Sequence, residues 1–160
     1  MIRHFYSIID EDDGLNENHH RNINNTYKRA YNCGGYALGT FSWYCPNSEE
    51  EADMWDDWDM SPERMEEVTE VCVDHMLDDF ADLRVIYSIN QVRADEYCIA
   101  FRVSSDGDFH YAKLSKNGRW YHKKGASPNI DTMTTSEIFG TDWCSRYDGP
   151  IVLFAKQRTR

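Results

Sequence analysis

Cys33 is the residue of this chain best suited to act as a nucleophile. It precedes the glycine pair Gly34 and Gly35, and apolar residues at near-helical spacing then predict a buried helix that begins near Cys33 and continues to Trp43. A helix N-terminus favours the thiolate, because its partial positive charge and free N–H groups lower the pKa of a thiol. The amide of Cys33 could also donate a hydrogen bond to an oxyanion.

His110 is the candidate for a general base. It lies in the run 109–114, where residue types alternate with the period of two that is typical of a β-strand. In that pattern His110 shares the apolar face with Ala112 and Leu114. An imidazole titrates near neutral pH and suits the role of a base, although a histidine on an apolar face is more commonly a structural hydrogen-bonding residue.

The turn after this strand decides where His122 lies. If Asn117 and Gly118 form a two-residue turn, His122 faces away from His110. If Gly118 takes the left-handed position of a three-residue loop, His122 comes opposite Ala112, and the two imidazoles are diagonal neighbours. We favour the second register, because it directs tryptophan and leucine inward and lysines outward. The inner face then holds His110, Ala112, Leu114, Trp120 and His122, and the outer face holds Lys113, Tyr121 and Lys123.

Two segments resemble the motifs of a known family. Residues 31–36 resemble the cysteine motif at the helix start of NlpC-type cysteine peptidases, which belong to the papain-like superfamily. The stretch from His110 to His122 is similar to that family's histidine segment, in which polar residues on successive strands flank a turn. This resemblance implies a papain-like fold, with Cys33 as nucleophile, His110 as general base and His122 as the third polar residue.

Four residues around Cys33 are candidates for binding the oxyanion or the substrate, namely Asn25, Asn32, Gly34 and Gly35. Asn32 and Gly34 stand where the family motif has aspartate and serine. Asn25 could supply a side-chain donor, although its spacing does not select it over Asn24 or Asn32. We predict no metal site and no cofactor, because the five cysteines lack CxxC pairs and regular spacing.

The remaining sequence predicts an α+β protein in which N-terminal helices pack on a C-terminal antiparallel β-meander. Ser61 and Pro62 start a helix, and the apolar stripe after them extends it over 62–80. Strands are predicted over 84–89, 97–104, 108–115, 119–123 and 151–156, with a helical turn over 135–139. Residues 1–160 are expected to form a single papain-like domain in which 1–25 is a loop or mobile arm.

The formal net charge of −11 argues against two classes of partner. Phosphate binding requires clustered lysine and arginine, so no nucleic acid is expected. No membrane association is expected either, because the charge disfavours an anionic surface and no stretch approaches the roughly 18 apolar residues of a span. The first residues lack a basic start followed by an apolar run, so we expect no secretory signal and a cytoplasmic location.

Two functional hypotheses follow. The first is a thiol-dependent hydrolase or acyltransferase that acts on an amide or peptide-type bond of a peptide or acyl substrate, through a thioester at Cys33 with His110 as base. The alternative is a catalytically silent papain-like domain that binds a basic protein, as an inhibitor or adaptor does. The surface for such a partner is the acidic stretch Glu49–Asp59, in which two tryptophans lie among the acids.

Overall fold

The computed structural model describes residues 29–47 and 59–158. Its elements are α1 (Cys33–Ala37), α2 (Pro62–Asp79), β1 (Leu83–Ile86), a 3₁₀ turn (Ile89–Gln91), β2 (Glu96–Val103), β3 (Phe109–Leu114), β4 (Trp120–Lys123), β5 (Ile130–Met133), α3 (Thr135–Ile138) and β6 (Val152–Gln157). The predicted α+β class is confirmed, with a small helical part and a six-stranded antiparallel sheet.

The strands form one sheet in the order β1-β6-β2-β3-β4-β5. Strands β2, β3 and β4 form a meander as predicted, but the strand predicted over 84–89 does not begin it. Strand β6 returns along the sheet to lie between β1 and β2, so β1 pairs with β6 instead. Strand β5 is absent from the prediction, because its four residues carry no distinctive alternation. It forms through pairing with β4, from Trp120 opposite Met133 to Lys123 opposite Ile130.

Helix α2 begins as the sequence predicts and ends one residue earlier. The hydroxyl of Ser61 accepts a hydrogen bond from the backbone N–H of Arg64 at 3.1 Å, and Pro62 occupies the first helical position. Its buried side chains pack on the sheet and are Met65, Val68, Thr69, Cys72 and Met76. No helix of the described residues is both long enough and apolar enough to cross a membrane.

Both faces of the sheet are covered. On one face, α1 and α2 pack against a cluster that includes Phe101, Tyr111 and Phe154. On the other face, α3 and the segment 139–149 pack against a cluster that includes Trp120, Ile138 and Trp143. Side chains on both sides of the central strands are therefore withdrawn from water.

The prediction of a solvent-facing outer side for the β3–β4 hairpin is wrong. Lys113, Tyr121 and Lys123 are only 2%, 8% and 0% exposed. They lie on the face that α1 covers, where the Lys123 ammonium donates to the carbonyl oxygen of Tyr31 and the Lys113 ammonium lies 4.3 Å from the centroid of the Tyr36 ring. Carbonyl oxygens and ring faces replace the water that these cations lose on burial. A pattern that only divides residues into polar and apolar does not predict such contacts.

A buried arginine ties the segment 139–149 to the sheet. Nε of Arg102 donates to the carbonyl oxygen of Gly149 at 2.8 Å. The two terminal nitrogens donate to the carbonyl oxygens of Gly140 at 2.8 Å and Thr141 at 2.9 Å. The planar guanidinium presents several donors in a rigid arrangement, so one side chain on β2 positions both ends of this segment.

Helix α1 is shorter than the apolar spacing predicts. It ends at Ala37, and Gly39 and Phe41 follow with positive φ values of 74° and 51°. These left-handed residues turn the chain back, so the apolar residues after the helix lie on a loop rather than on further helical turns. The backbone N–H of Phe41 donates to the carbonyl oxygen of Gly35 at 3.1 Å and holds this loop against α1.

Gly35 makes the close contact between α1 and the loop possible. A Cβ atom at this position would lie 1.9 Å from the carbonyl oxygen of Ser42 and 2.9 Å from its carbonyl carbon. Backbone atoms cannot move aside as a flexible side chain can, so only glycine fits here. The space that Gly35 leaves open is thus occupied by the protein's own backbone.

We expect the substitution Gly35→Ala to lower the free energy of unfolding by about 3 kcal/mol, the upper end of typical overpacking costs. Gly118→Ala is the control, because a Cβ there meets nothing within 4 Å and only the φ of +86° opposes it. That backbone cost is about 1 kcal/mol. Urea unfolding followed by tryptophan fluorescence compares the two variants, and equal stabilities would contradict the packing of the loop on α1.

Candidate active site

A cavity of about 230 Å³ lies where β3 begins. Its lining residues come from α1, the loop after it, β3, the turn after β4 and the segment 139–149, and they are Asn32, Cys33, Trp43, Cys45, Asp108, Phe109, His110, Gly125 and Tyr147. The two residues predicted as nucleophile and base, Cys33 and His110, therefore border one cavity although they are distant along the chain.

The register of the β3–β4 hairpin agrees with the favoured prediction. Leu114 pairs with Trp120, and the N–H of Ser115 donates to the carbonyl oxygen of Arg119 at 2.8 Å. Gly118 has a φ of +86°, the left-handed conformation that a three-residue loop requires. Continued along the strands, this register places both histidines of the hairpin on one face.

His110 and His122 are joined by a hydrogen bond between the strands. Nε2 of His110 lies 2.9 Å from Nδ1 of His122, and the two rings are nearly perpendicular at 87°. Nδ1 of His110 has no hydrogen-bond partner within the described part of the chain. With Nε2–H of His110 donating to His122, this Nδ1 carries a lone pair that can accept a proton.

Burial keeps both imidazoles neutral at physiological pH. The pKa of His110 is lowered to about 3, first by burial and then by the charges of its neighbours, among which His122 is foremost. Burial also lowers the pKa of His122, against the opposing effect of the Asp131 carboxylate. The pair therefore rests as an uncharged base and an uncharged orienting group.

Aromatic rings hold the imidazole of His110 in place. The Tyr147 ring stacks on it with centroids 4.9 Å apart and planes inclined by 20°, and the Trp143 ring meets it edge-on at 6.3 Å. Tyr147 in turn donates its hydroxyl hydrogen to Asp108 at 3.3 Å, and Arg146 pairs with the same carboxylate at 3.0 Å. Sequence reasoning missed Tyr147 because it lies on an irregular segment with no local signal.

The thiol of Cys33 is more deeply buried than the sequence suggests. Burial raises its pKa to about 12, and the charge of the Asp108 carboxylate acts in the same direction. Hydrogen bonds from the backbone N–H groups of Tyr111 and Gly34 and the charge of Lys123 oppose this only in part. The prediction that a helix start lowers this pKa is wrong, because desolvation outweighs the field of a five-residue helix. Cys33 rests as a neutral thiol.

The thiol and the imidazole reach the cavity from different sides of β3. Helix α1 packs on the face of Tyr111, whose ring lies 3.1 Å from the position of a Cβ on Gly34. His110, one residue earlier on the strand, points to the opposite face. Among the described residues, the Cys33 sulfur makes no hydrogen bond with either histidine of the hairpin.

The residues predicted to bind an oxyanion have different surroundings. Oδ1 of Asn32 accepts from the N–H groups of Gly35 at 3.0 Å and Tyr44 at 3.1 Å, and its Nδ2 donates to the carbonyl oxygen of Tyr44 at 2.7 Å. Asn32 thus caps α1 and closes the loop, and one amide hydrogen remains for a ligand in the cavity. Gly34 and Gly35 are buried against the chain itself, and Asn25 lies outside the described residues.

Lys123 is a charged neighbour of the site that sequence reasoning assigned to the outer face. Its ammonium donates to the carbonyl oxygen of Gly125, which lines the cavity, at 2.6 Å. Burial lowers its pKa to about 8, and interaction with Cys33 opposes that shift. The Lys123 ammonium favours negative charge on the sulfur, and the Asp108 carboxylate, which also lines the cavity, disfavours it.

Three other predictions concern a metal site, a surface for a basic partner and the state of the cysteines. Within 29–47 and 59–158, no group of three or more histidine, cysteine and acidic side chains could hold a metal ion. The acidic stretch Glu49–Asp59, predicted to bind a basic partner, lies outside the described residues except for its last member. All five cysteines are free thiols.

Comparison with known proteins finds no family model that matches the chain, no similar curated protein and no similar solved structure. The resemblance to NlpC-type peptidases therefore rests on the two sequence segments 31–36 and 110–122. Function has to be inferred from the chemistry of the cavity itself.

The buried imidazoles predict a loss of stability on mild acidification. Their pKa values in the folded protein lie below the unfolded value of about 6.5, so below that pH the unfolded chain binds protons that the folded state excludes. Between about pH 6.5 and 5, we expect the free energy of unfolding to fall with a slope approaching about 1.4 kcal/mol per pH unit from His110. His122 adds to this loss in the same direction.

Urea titrations at several pH values measure this slope. The double variant His110→Gln/His122→Gln removes both titrating groups and should show a correspondingly smaller dependence on pH. If the wild-type protein were equally stable throughout this range, the two imidazoles could not both be buried and neutral.

Proposed function

We propose that this chain is a thiol-dependent hydrolase or acyltransferase that cleaves an amide or peptide-type bond, with a papain-like arrangement of Cys33, His110 and His122. The observation that carries the proposal is that Cys33 and His110 border one cavity while Nε2 of His110 is engaged by His122. The unengaged Nδ1 is then the atom that exchanges protons with the thiol and the substrate. A peptide or acyl substrate and a cytoplasmic location belong to the same proposal.

In the first half of the reaction, the Cys33 sulfur attacks the carbonyl carbon of the substrate, and Nδ1 of His110 takes the thiol proton. The negative charge that develops on the carbonyl oxygen is met by the N–H of Cys33 and the remaining amide hydrogen of Asn32. Nδ1 then gives its proton to the leaving nitrogen, the carbon–nitrogen bond breaks, and a thioester remains on Cys33.

In the second half, water or an acceptor amine attacks the thioester carbonyl, and His110 takes the proton of the attacking group. The proton returns to sulfur as the carbon–sulfur bond breaks, which regenerates the thiol. Water as the attacking group gives hydrolysis, and an amine gives acyl transfer. His122 keeps the His110 ring oriented throughout both halves.

The electrostatics of the cavity favour proton transfer that is coupled to attack. Burial opposes charge on both the thiol and the imidazole, so a resting thiolate–imidazolium pair is disfavoured. Charge is acceptable only when it develops next to compensating groups, and the Lys123 ammonium is one such group for sulfur. His110 remains an unprotonated base over the whole neutral range.

The size and walls of the cavity indicate what part of a substrate enters it. About 230 Å³ is less than most small-molecule sites enclose. Rings of Trp43, Phe109 and Tyr147 line it. A short acyl group or the carboxamide end of a single side chain fits this space better than a large ligand.

A catalytically silent domain is the second candidate function. It is favoured by two observations: the Cys33 sulfur makes no hydrogen bond with a histidine among the described residues, and burial raises the pKa of the thiol. Hydrogen bonds at a catalytic site commonly tighten only when substrate is bound, so the reactivity of the thiol is the property that distinguishes the two functions.

We expect p-nitrophenyl acetate to acetylate Cys33 faster than any other cysteine, as measured by release of nitrophenol and by peptide mass spectrometry. Cys33→Ala should abolish the fast phase, and His110→Gln should slow it about 10²- to 10⁴-fold, the usual contribution of a general base. Cys98→Ala is the matched control, because the Cys98 thiol is equally buried and its pKa is also raised to about 12, yet it does not line the cavity.

Acetylation that is no faster at Cys33 than at the other four thiols, with no dependence on His110, would rule out the enzyme. The silent-domain function would then be the one retained. Where wild-type protein shows the fast phase, Cys98→Ala must retain it, since its loss in that variant would show that the assay reports on folding instead.

A further inference from the structure

A second and larger concavity lies away from the site at Cys33. This groove of about 720 Å³ runs between α2 and the adjoining ends of β1 and β6. Residues that line it are Thr69, Glu70, Val73, Asp74, Val85, Ile86, Tyr87, Phe139, Ile151, Val152 and Leu153. The proposed reaction at Cys33 uses none of these residues.

Large apolar side chains border the groove and remain open to solvent. Tyr87 is 86% exposed and Phe139 is 48% exposed, and they belong to the four exposed large hydrophobic residues of the described chain. Leu77, also among the four, lies one helical turn beyond Val73 and extends the apolar stripe of α2. Exposed apolar side chains at the border of a groove are a common feature of interaction sites.

The helical wall of the groove is acidic. Glu70 and Asp74 are exposed, lie one turn apart and form no ion pair with a described residue. The sequence of α2 contains seven acidic residues and one arginine, and the lining residues include no lysine or arginine. The apolar residues of the groove thus lie beside the negative charges of Glu70 and Asp74.

We propose that this groove is the docking site for a basic, amphipathic segment of another protein. Apolar side chains of the segment pack on Val73, Tyr87 and Phe139, and its lysine or arginine side chains pair with Glu70 and Asp74. The proposal does not depend on the proposed reaction, and none of the lining residues belongs to the acidic sequence stretch 49–59.

Charge complementarity selects this occupant over the alternatives. A second copy of the chain carries a formal net charge of −11 and would bring acids against acids. An anionic membrane or a nucleic acid meets the same repulsion. A cationic segment gains attraction at the wall, while its apolar side chains remove the exposed rings from water.

The probe for the test is a fluorescein-labelled 14-residue peptide of lysine and leucine, patterned with an apolar stripe. A peptide with glutamate in place of lysine and a peptide of the same composition in scrambled order are the comparison ligands. Binding is followed by fluorescence anisotropy at low and at physiological salt. Two-dimensional amide NMR of the full chain locates the contact.

Two protein variants distinguish the effect of charge at the groove from the effect of the total charge of α2. Glu70→Lys/Asp74→Lys reverses the wall, and Glu67→Lys/Asp78→Lys makes the same change of charge at exposed sites of the same helix outside the lining. We expect the first variant to raise the Kd at least about tenfold and the second less than about threefold. Tyr87→Ser, at an exposed ring that folding does not need, should weaken binding as well.

The expected result is saturable binding of the patterned basic peptide, with shifted amide signals at Val73, Tyr87 and Ile151. Failure of that peptide to bind would overturn the proposal. So would equal weakening by the two double variants, equal affinity for the scrambled peptide, or amide shifts confined to other surfaces. Circular dichroism of each variant confirms that the fold is kept.

Discussion

The pairing of β3 with β4 around a three-residue loop is the constraint on which the site depends. Since successive side chains of a strand point to opposite faces, a slip of one residue would turn His122 away from His110 and take Trp120 out of the core. Gly118 permits the left-handed loop conformation, and the buried rings of the inner face make the alternative register unfavourable. The hydrogen bond between the imidazoles is therefore a consequence of how the hairpin packs.

Because the sheet is covered on both sides, the ionisable side chains of its central strands are withdrawn from water. Lys113 and Lys123 lie beneath α1, and His110 lies beneath the rings of Trp143 and Tyr147. Low polarity weakens ionisation of the thiol and of the imidazoles, yet it also strengthens the effect of each compensating charge or N–H group. The same burial that leaves Cys33 as a thiol at rest strengthens both the attraction of the Lys123 ammonium and the repulsion of the Asp108 carboxylate for charge on its sulfur.

Features with a local cause could be predicted from the sequence. The serine–proline start and apolar stripe of α2, the alternation in β3 and the register around Gly118 all reflect short-range stereochemistry. Features that depend on distant contacts could not. Helix α1 is short because a loop folds back on it, β5 exists through its partner strand, and Tyr147 meets His110 only through tertiary packing. The raised pKa of Cys33 also depends on distant contacts. The sequence indicates that a helix starts at this residue, but not how deeply the thiol is buried.

Three carbonyl groups of the segment 139–149 accept hydrogen bonds from the Arg102 guanidinium. These bonds hold the segment against the sheet more rigidly than a surface loop is usually held. If the segment moved away from His110, the Arg102 guanidinium would lose all three of these acceptors together. It would keep its positive charge, since a guanidinium does not deprotonate. Partial opening of the segment therefore costs the free energy of leaving a buried charge without its acceptors. The rings of Trp143 and Tyr147 then stay over His110, and the cavity that Cys33 borders is a route by which small molecules can reach this imidazole.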